Sequence, residues 1–181
     1  SQNVRIGQGA TTLTANATAN TYTISYDYAG GTGGTNKPTS GTYDADVQIS
    51  NPTKTGYTFA GWTSSSSEGL GENAKTGTAA NPSTAWTGTA TKNTYFKNLT
   101  DTKNGTVKLT ATWTTNTYTV EYYQGNNSTT AGSTKFSTTS SHTYGTAKAL
   151  TTYATLGGTA PSGWTFAGWS TSETGTAVST V

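Results

Sequence analysis

The chain of 181 residues has no cysteine, no methionine, one histidine and four prolines. Without cysteine there is no disulfide, no thiolate nucleophile and no cysteine-bound metal. Because disulfides are optional outside the cell, the absence identifies no compartment. Charge is scarce too: Lys and Arg number 10 against 8 Asp and Glu, a net charge of +2. The basic residues stand singly, so the concentrated positive surface that nucleic acid requires is missing and no nucleic-acid partner is expected. No apolar run reaches the length of a membrane-spanning helix, and no membrane insertion is expected in this segment. Neither a signal peptide nor an initiator methionine is present, which reads as a mature or excised piece of something longer.

Catalytic chemistry is equally sparse. His142, in "SSHTYG", has many serines around it but no acid placed by sequence, and reads as a solvated loop histidine. Asp44 and Asp46 would share one face if their segment were a strand, which fits a solvated edge better than a Ca²⁺ site. "GGTGG" at 30–34 is followed by Asn36, Lys37 and Pro38 rather than by a helix start, and reads as turn glycine rather than a phosphate loop. No catalytic residue, metal site or cofactor is expected, and the chain is not read as an enzyme.

What the chain has in quantity is threonine, about a quarter of all residues, with 22 Gly and 11% aromatics. Thr, Tyr, Val and Trp have branched or flat side chains that suit a pleated surface, and Thr gives a strand a polar outer face without charge. A mainly β fold follows. Period-two alternation locates strands: Tyr22, Ile24 and Tyr26; Tyr118, Val120 and Tyr122; and Val107, Leu109, Ala111 and Trp113. No segment has a long helical period, and a short helix has room only between residues 64 and 92.

The sequence also repeats itself. "LTANATANTYTISY" from Leu13 matches "LTATWTTNTYTVEY" from Leu109, at a spacing of 96. "GYTFAGW" from Gly56 recurs as "GWTFAGW" from Gly163, at a spacing of 107. Two modules in tandem explain both spacings, with extra residues in the second copy. Residues 20–115 form a complete module with an insertion at 64–106, and residues 116–181 form a second module without a closing strand of its own. Residues 1–19 read as the closing strand of a preceding module, since "TTLTANA" at 11–17 aligns with 107–113 and places Leu13, Ala15 and Ala17 on its inner face. The chain then reads as one period of a longer array. Successive periods continue covalently, or separate subunits lend the strand to a neighbour, or the ends are arbitrary.

The phrases "YTISYDYAGGTGG", "NPTKTGYTFAGW" and "LTATW", with "YTVEYYQGNN" and "PSGWTFAGW" in the second copy, resemble the Listeria–Bacteroides repeat, or internalin B-repeat, of bacterial surface proteins. The likeness covers nearly the whole chain. It implies β-grasp-like modules strung along secreted or surface-anchored proteins as stalk and adhesin repeats. Two positions depart from the pattern: Ala17 stands where Trp113 stands, and Trp164 where Tyr57 stands, so Trp164 is expected to fill volume left by Ala17.

The aromatics that recur, Tyr22, Tyr26, Tyr57, Phe59, Trp62, Trp113, Tyr118, Tyr122, Trp164, Phe166 and Trp169, are assigned to module cores. Tyr43 and Tyr144 recur loosely and look structural. Trp86, Tyr95 and Phe96 occur only in the insertion and are the candidate interaction surface, because exposed aromatics stack on sugars and mark contact faces. Glycosylation sequons stand at Asn16, Asn98, Asn104, Asn126 and Asn127. The expected function is that of a building block of an extracellular fibre, stalk or adhesin, surface-attached or secreted, whose partners are identical repeats or subunits head to tail. The alternative is a module that binds glycan or a host surface protein through the insertion.

Overall fold

A computed structural model of the chain describes residues 14–124 and 134–171. It contains ten strands: β1 (Thr21–Asp27), β2 (Ser40–Thr42), β3 (Asp46–Gln48), β4 (Tyr57–Thr63), β5 (Lys75–Gly77), β6 (Thr84–Ala85), β7 (Tyr95–Lys97), β8 (Thr106–Thr115), β9 (Thr117–Gln124) and β10 (Thr134–Thr143). The fold is mainly β, and the one helical element among the described residues is a 3₁₀ turn at Ser66–Glu68, closed by left-handed Gly69. No helix among them is long and apolar enough to cross a membrane.

The alternating segments form one mixed sheet in the order β2-β1-β8-β4. β1 runs antiparallel to β2 and parallel to β8, and β8 runs antiparallel to β4. The register sets Ile24 opposite Val107 and Tyr26 opposite Leu109, which puts the apolar alternates of both central strands on one face. Phe59 lies opposite Trp113 and Trp62 opposite Ala111, with a bulge between Phe59 and Gly61. Tyr22, Ile24, Trp62, Val107, Leu109 and Ala111 are buried on that face.

A second sheet, β3-β7-β5-β6, is entirely antiparallel. It supplies Val47 and Phe96, and the segments beside it supply Ile49, Ala74, Trp86 and Leu99, to the same apolar cluster. Residues 64–106 are therefore not an appendage. Three of the second sheet's four strands come from them, and they close the core of the first repeat. The candidate interaction surface is corrected accordingly: Trp86 is 4% exposed, Phe96 is fully buried, and Tyr95 is half-buried. The Trp86 and Phe96 rings meet at 5.1 Å, and the indole N–H donates to Thr89 O at 2.7 Å. Burial of two aromatic side chains of this size holds the second sheet to the first, together with the backbone bridge between Trp62 and Thr91.

In the second repeat β9 pairs with β10, antiparallel, with a register shift between Lys135 and Thr139. Tyr122 is buried as expected, whereas Tyr118 is 51% exposed. The cause is its cross-strand neighbour. Tyr22 in β1 faces Gly41, and a side chain on Gly41 would run into the Tyr22 ring, so the ring has room to fold over. Tyr118 faces His142, whose imidazole is itself buried. His142 is thus a strand residue of the second repeat's small core, not a solvated loop residue.

Leu13 lies outside the described residues. Ala15 and Ala17 are exposed and belong to no strand, as does the rest of Thr14–Asn20.

Candidate functional site

The titratable groups come first, because an enzyme would need them together. Among the described residues no three of His, Asp and Glu lie close enough to hold a metal ion. Asp44 and Asp46 diverge. Asp44 sits in a turn at φ 62° and exchanges hydrogen bonds with Asn98 (Asp44 N–H to Asn98 Oδ1, 2.7 Å; Asn98 Nδ2 to Asp44 Oδ1, 3.0 Å). Asp46 in β3 accepts from Asn81 N–H at 2.6 Å. The Asn98 sequon is therefore closed to modification in the folded chain, since the residue is buried and both amide atoms are engaged. Asn16 and Asn104 are exposed, and Asn126 and Asn127 lie outside the described residues.

His142 comes nearest to a catalytic arrangement. Its Nε2 lies 2.6 Å from Ser140 Oγ, which in turn lies 2.7 Å from the Tyr122 hydroxyl. A serine nucleophile activated in this way needs an acid on the other imidazole nitrogen. Nδ1 of His142 is buried without a partner among the described residues. Thr151 N–H donates to the Tyr122 hydroxyl at 3.0 Å, so the group is a packing network that joins β9, β10 and the segment after β10. Burial pushes the Tyr122 phenol up, but the bonds with Ser140 and Thr151, with Lys148 nearby, outweigh it and bring the phenol below its ordinary value.

The aromatic phrase itself carries the most structure. In the first repeat it is β4, and its rings form a chain: Trp62 touches Tyr26 (5.6 Å), Tyr28 (6.0 Å) and Phe59 (5.5 Å), and Phe59 touches Trp113 (5.5 Å). Trp113 is half-buried and lies over Gly31, where a Cβ would stand 2.8 Å from Thr53 O and run into the indole. Its N–H donates to Tyr28 O at 3.0 Å. Lys54 Nζ stands 4.3 Å above the Tyr57 ring and donates to Ala29 O at 2.8 Å. The first glycine pair is required for that packing.

In the second repeat the same phrase keeps its local shape without becoming a strand. Trp164 N–H donates to Pro161 O (3.0 Å) as Tyr57 N–H does to Lys54 O (3.1 Å). Gly168 takes φ 141° as Gly61 takes 147°. Trp169 is half-buried against Tyr122 at 4.8 Å and donates to Thr151 O at 2.9 Å. Residues 164–168, however, belong to no strand, and β9 pairs with β10 alone among the described residues. In the first repeat β8 fills the space between the two corresponding strands. Core burial of Trp164 and Phe166 is accordingly corrected: they are 63% and 43% exposed. The expected partnership of Trp164 with Ala17 is one across the period boundary; within the chain both side chains face solvent.

Among the described residues the two repeats meet at the joint between β8 and β9. β8 passes into β9 through Asn116, whose N–H donates to Gly56 O (2.9 Å), whose O accepts from Tyr144 N–H (2.9 Å) and whose Oδ1 accepts from Thr58 Oγ1 (2.7 Å). The Tyr144 ring covers Gly56, where any side chain would collide with it, and meets Tyr57 edge-on at 5.8 Å and 73°. Sequence reasoning marked Tyr144 as structural but gave Asn116 no role; its recurrence as Asn20 was the available signal. Comparison with known proteins finds no matching family model, no matching curated protein and no matching solved structure.

Proposed function

We propose that the chain is a structural repeat unit of an extracellular fibre, stalk or adhesin, in which a strand supplied across the period boundary completes the second repeat. The observation that carries this reading is the contrast between the two copies of one phrase. In the first repeat β8 stands between β1 and β4 and pairs with both. In the second repeat the corresponding backbone, β9 on one side and residues 164–169 on the other, has no such strand among the described residues. Unpaired edges of this kind are templates for another strand. The segment "TTLTANA" at 11–17 has the sequence for the place, matching "VKLTATW" at 107–113. Laid in as β8 lies in the first repeat, it would run parallel to β9 with Leu13 opposite Tyr122, and antiparallel to the phrase with Ala15 opposite Trp169 and Ala17 opposite Phe166.

A central pair of parallel strands formed by the first and last strands of a module accords with the β-grasp-like architecture that the resemblance implies. Repetition of a self-contained β unit gives length, which is what a stalk needs. The glycan-binding alternative loses its support, because Trp86 and Phe96 are core residues. Electron microscopy of the native material, with the intact mass of its polypeptide, tests the reading. Uniform filaments with a two-module repeat are expected. A mass near 18.6 kDa selects strand exchange between subunits, a larger one selects a covalent array, and isolated monomers overturn both.

A further inference from the structure

Gly163 is built like Gly56 but carries no other described residue on it. Both residues hold left-handed backbone, φ 83° and 78°, at the third position of the same turn. At Gly56 the missing side chain makes room for the Tyr144 ring. At Gly163 a Cβ would meet no described residue within 4 Å. The neighbouring aromatic follows suit: Tyr57 is half-buried beside Tyr144, and Trp164 is the most exposed large apolar residue described. A large ring left in solvent beside an empty glycine is one half of a contact.

The other half is also on the chain. The registers put Thr143 opposite Thr117 and Thr42 opposite Thr21, and each pair is followed by a tyrosine. Tyr43 N–H donates to Asn20 O at 2.8 Å, as Tyr144 N–H donates to Asn116 O at 2.9 Å. The two Asn–Tyr corners are thus the same structure at the head of each repeat. Asn116 donates its N–H to Gly56 O, accepts from Thr58 Oγ1 at Oδ1 and donates from Nδ2 to the Tyr118 hydroxyl. Asn20 is exposed, and no described residue bonds its N–H or its side-chain amide. Thr165 stands in the phrase where Thr58 stands.

We infer that a second copy of the chain docks at this turn, with the Asn20–Tyr43 corner of one copy on Gly163, Trp164 and Thr165 of the other. The contact reproduces the joint inside the chain: Asn20 N–H donates to Gly163 O, Thr165 Oγ1 donates to Asn20 Oδ1, and the Tyr43 ring covers Gly163 against the face or edge of Trp164. In the free chain the Tyr43 phenol lies beside the Asp101 carboxylate, and the docked ring leaves it. The occupant is a copy of this chain because the same pair of surfaces already meets within it. The contact is head to tail, so it propagates instead of closing on itself. The inference rests on the fibre reading and adds the site at which periods join.

The purified full-length chain tests it, with sedimentation velocity and electron microscopy as readouts. Gly163→Asn keeps the left-handed backbone, which asparagine tolerates, and fills the empty place. Gly157→Asn is the control: Gly157 is also left-handed, φ 78°, with no described residue within 4 Å, and lies outside the turn. The wild type and Gly157→Asn are expected to associate head to tail. Gly163→Asn and Trp164→Ala are expected to weaken association at least about tenfold with unchanged monomer melting, as loss of a central aromatic contact does. Filaments that form equally well from Gly163→Asn overturn the joint and leave the fibre reading standing. A wild-type chain still monomeric at about 1 mM, a concentration at which even contacts of about 4 kcal/mol are half occupied, also overturns it, and the fibre reading then depends on the native material alone.

Discussion

Phe166 and Trp169 meet at 5.1 Å and 66°, and Phe59 and Trp62 meet at 5.5 Å and 68°. The phrase folds on itself in the same way whether or not it pairs as a strand. Its glycine holds a φ that side chains rarely adopt in both copies, and that bend brings the two rings together. What differs is the cover. Trp62 is fully buried under both sheets, and Trp169 is half-buried, with β9, β10 and nearby loops as its cover among the described residues.

The second sheet makes a clear demand on stability. Phe96 is fully buried between Trp86 and the apolar residues of both sheets. Phe96→Ala removes most of an aromatic side chain from a packed core, a change that costs about 3–5 kcal/mol. Denaturant melts of the full chain should show that loss. A cost below about 1 kcal/mol would mean that the second sheet does not share the first sheet's core.

That sheet was not legible in the sequence, for a physical reason. Strands of two or three residues, as β3, β5, β6 and β7 are, offer too few alternations to be distinguished from loop. Trp86 and Phe96 have no counterpart in the other copy, so recurrence could not mark them as core. β1, β8 and β9 were legible because each is at least seven residues long and alternates over most of that length. The errors at Tyr118, Trp164 and Phe166 come from recurrence too. Equivalent positions share backbone shape, but burial depends on the neighbouring strand, and there the two repeats differ.

Trp113 and Gly31 form a second, smaller test of packing. A methyl group on Gly31 would press on the indole and on Thr53 O at 2.8 Å, and the indole is also held by its hydrogen bond to Tyr28 O. Gly31→Ala is expected to destabilise the first repeat by about 1–3 kcal/mol, the usual cost of overpacking. The Trp113→Phe, Gly31→Ala double variant should recover part of that loss, because the smaller ring vacates space. Strictly additive losses in melting experiments would show that the two positions do not touch.

Asp101 gives the chain an acid-sensitive clamp. Slight burial pushes its carboxyl up, but bonds from Asn73, from the Glu72 N–H and from Tyr43 outweigh this and hold it below the ordinary carboxylate range. A group with a lowered folded pKa stabilises above its unfolded value and loses that contribution as pH falls through the folded one. Stability of the first repeat should therefore decline as pH falls below about 4. The part due to Asp101 should be at most about 1 kcal/mol, since the carboxylate is exposed. Comparing the pH dependence of melting in Asp101→Asn with the wild type isolates it, and identical slopes would remove Asp101 from the account.

The strand-supply reading makes a demand on β9 that needs no filament. A synthetic peptide of residues 10–19, "ATTLTANATA", should lie along β9 in the register that β8 takes along β1, where Leu109 faces Tyr26 and Val107 faces Ile24. In that register its Leu13 packs on Tyr122, and its backbone accepts from the outward amides of β9, slowing their hydrogen exchange. The same peptide with Leu13→Asp puts a carboxylate against the Tyr122 and Trp169 rings, which stand 4.8 Å apart. Burying that unpaired charge costs more than a weak strand contact returns, so this peptide should leave exchange unchanged. Protection of β9 by the first peptide and not by the second is the expected result. Equal protection by both would assign the effect to nonspecific strand association, and no protection at peptide concentrations of about 1 mM would remove the free edge of β9 as the receiving site.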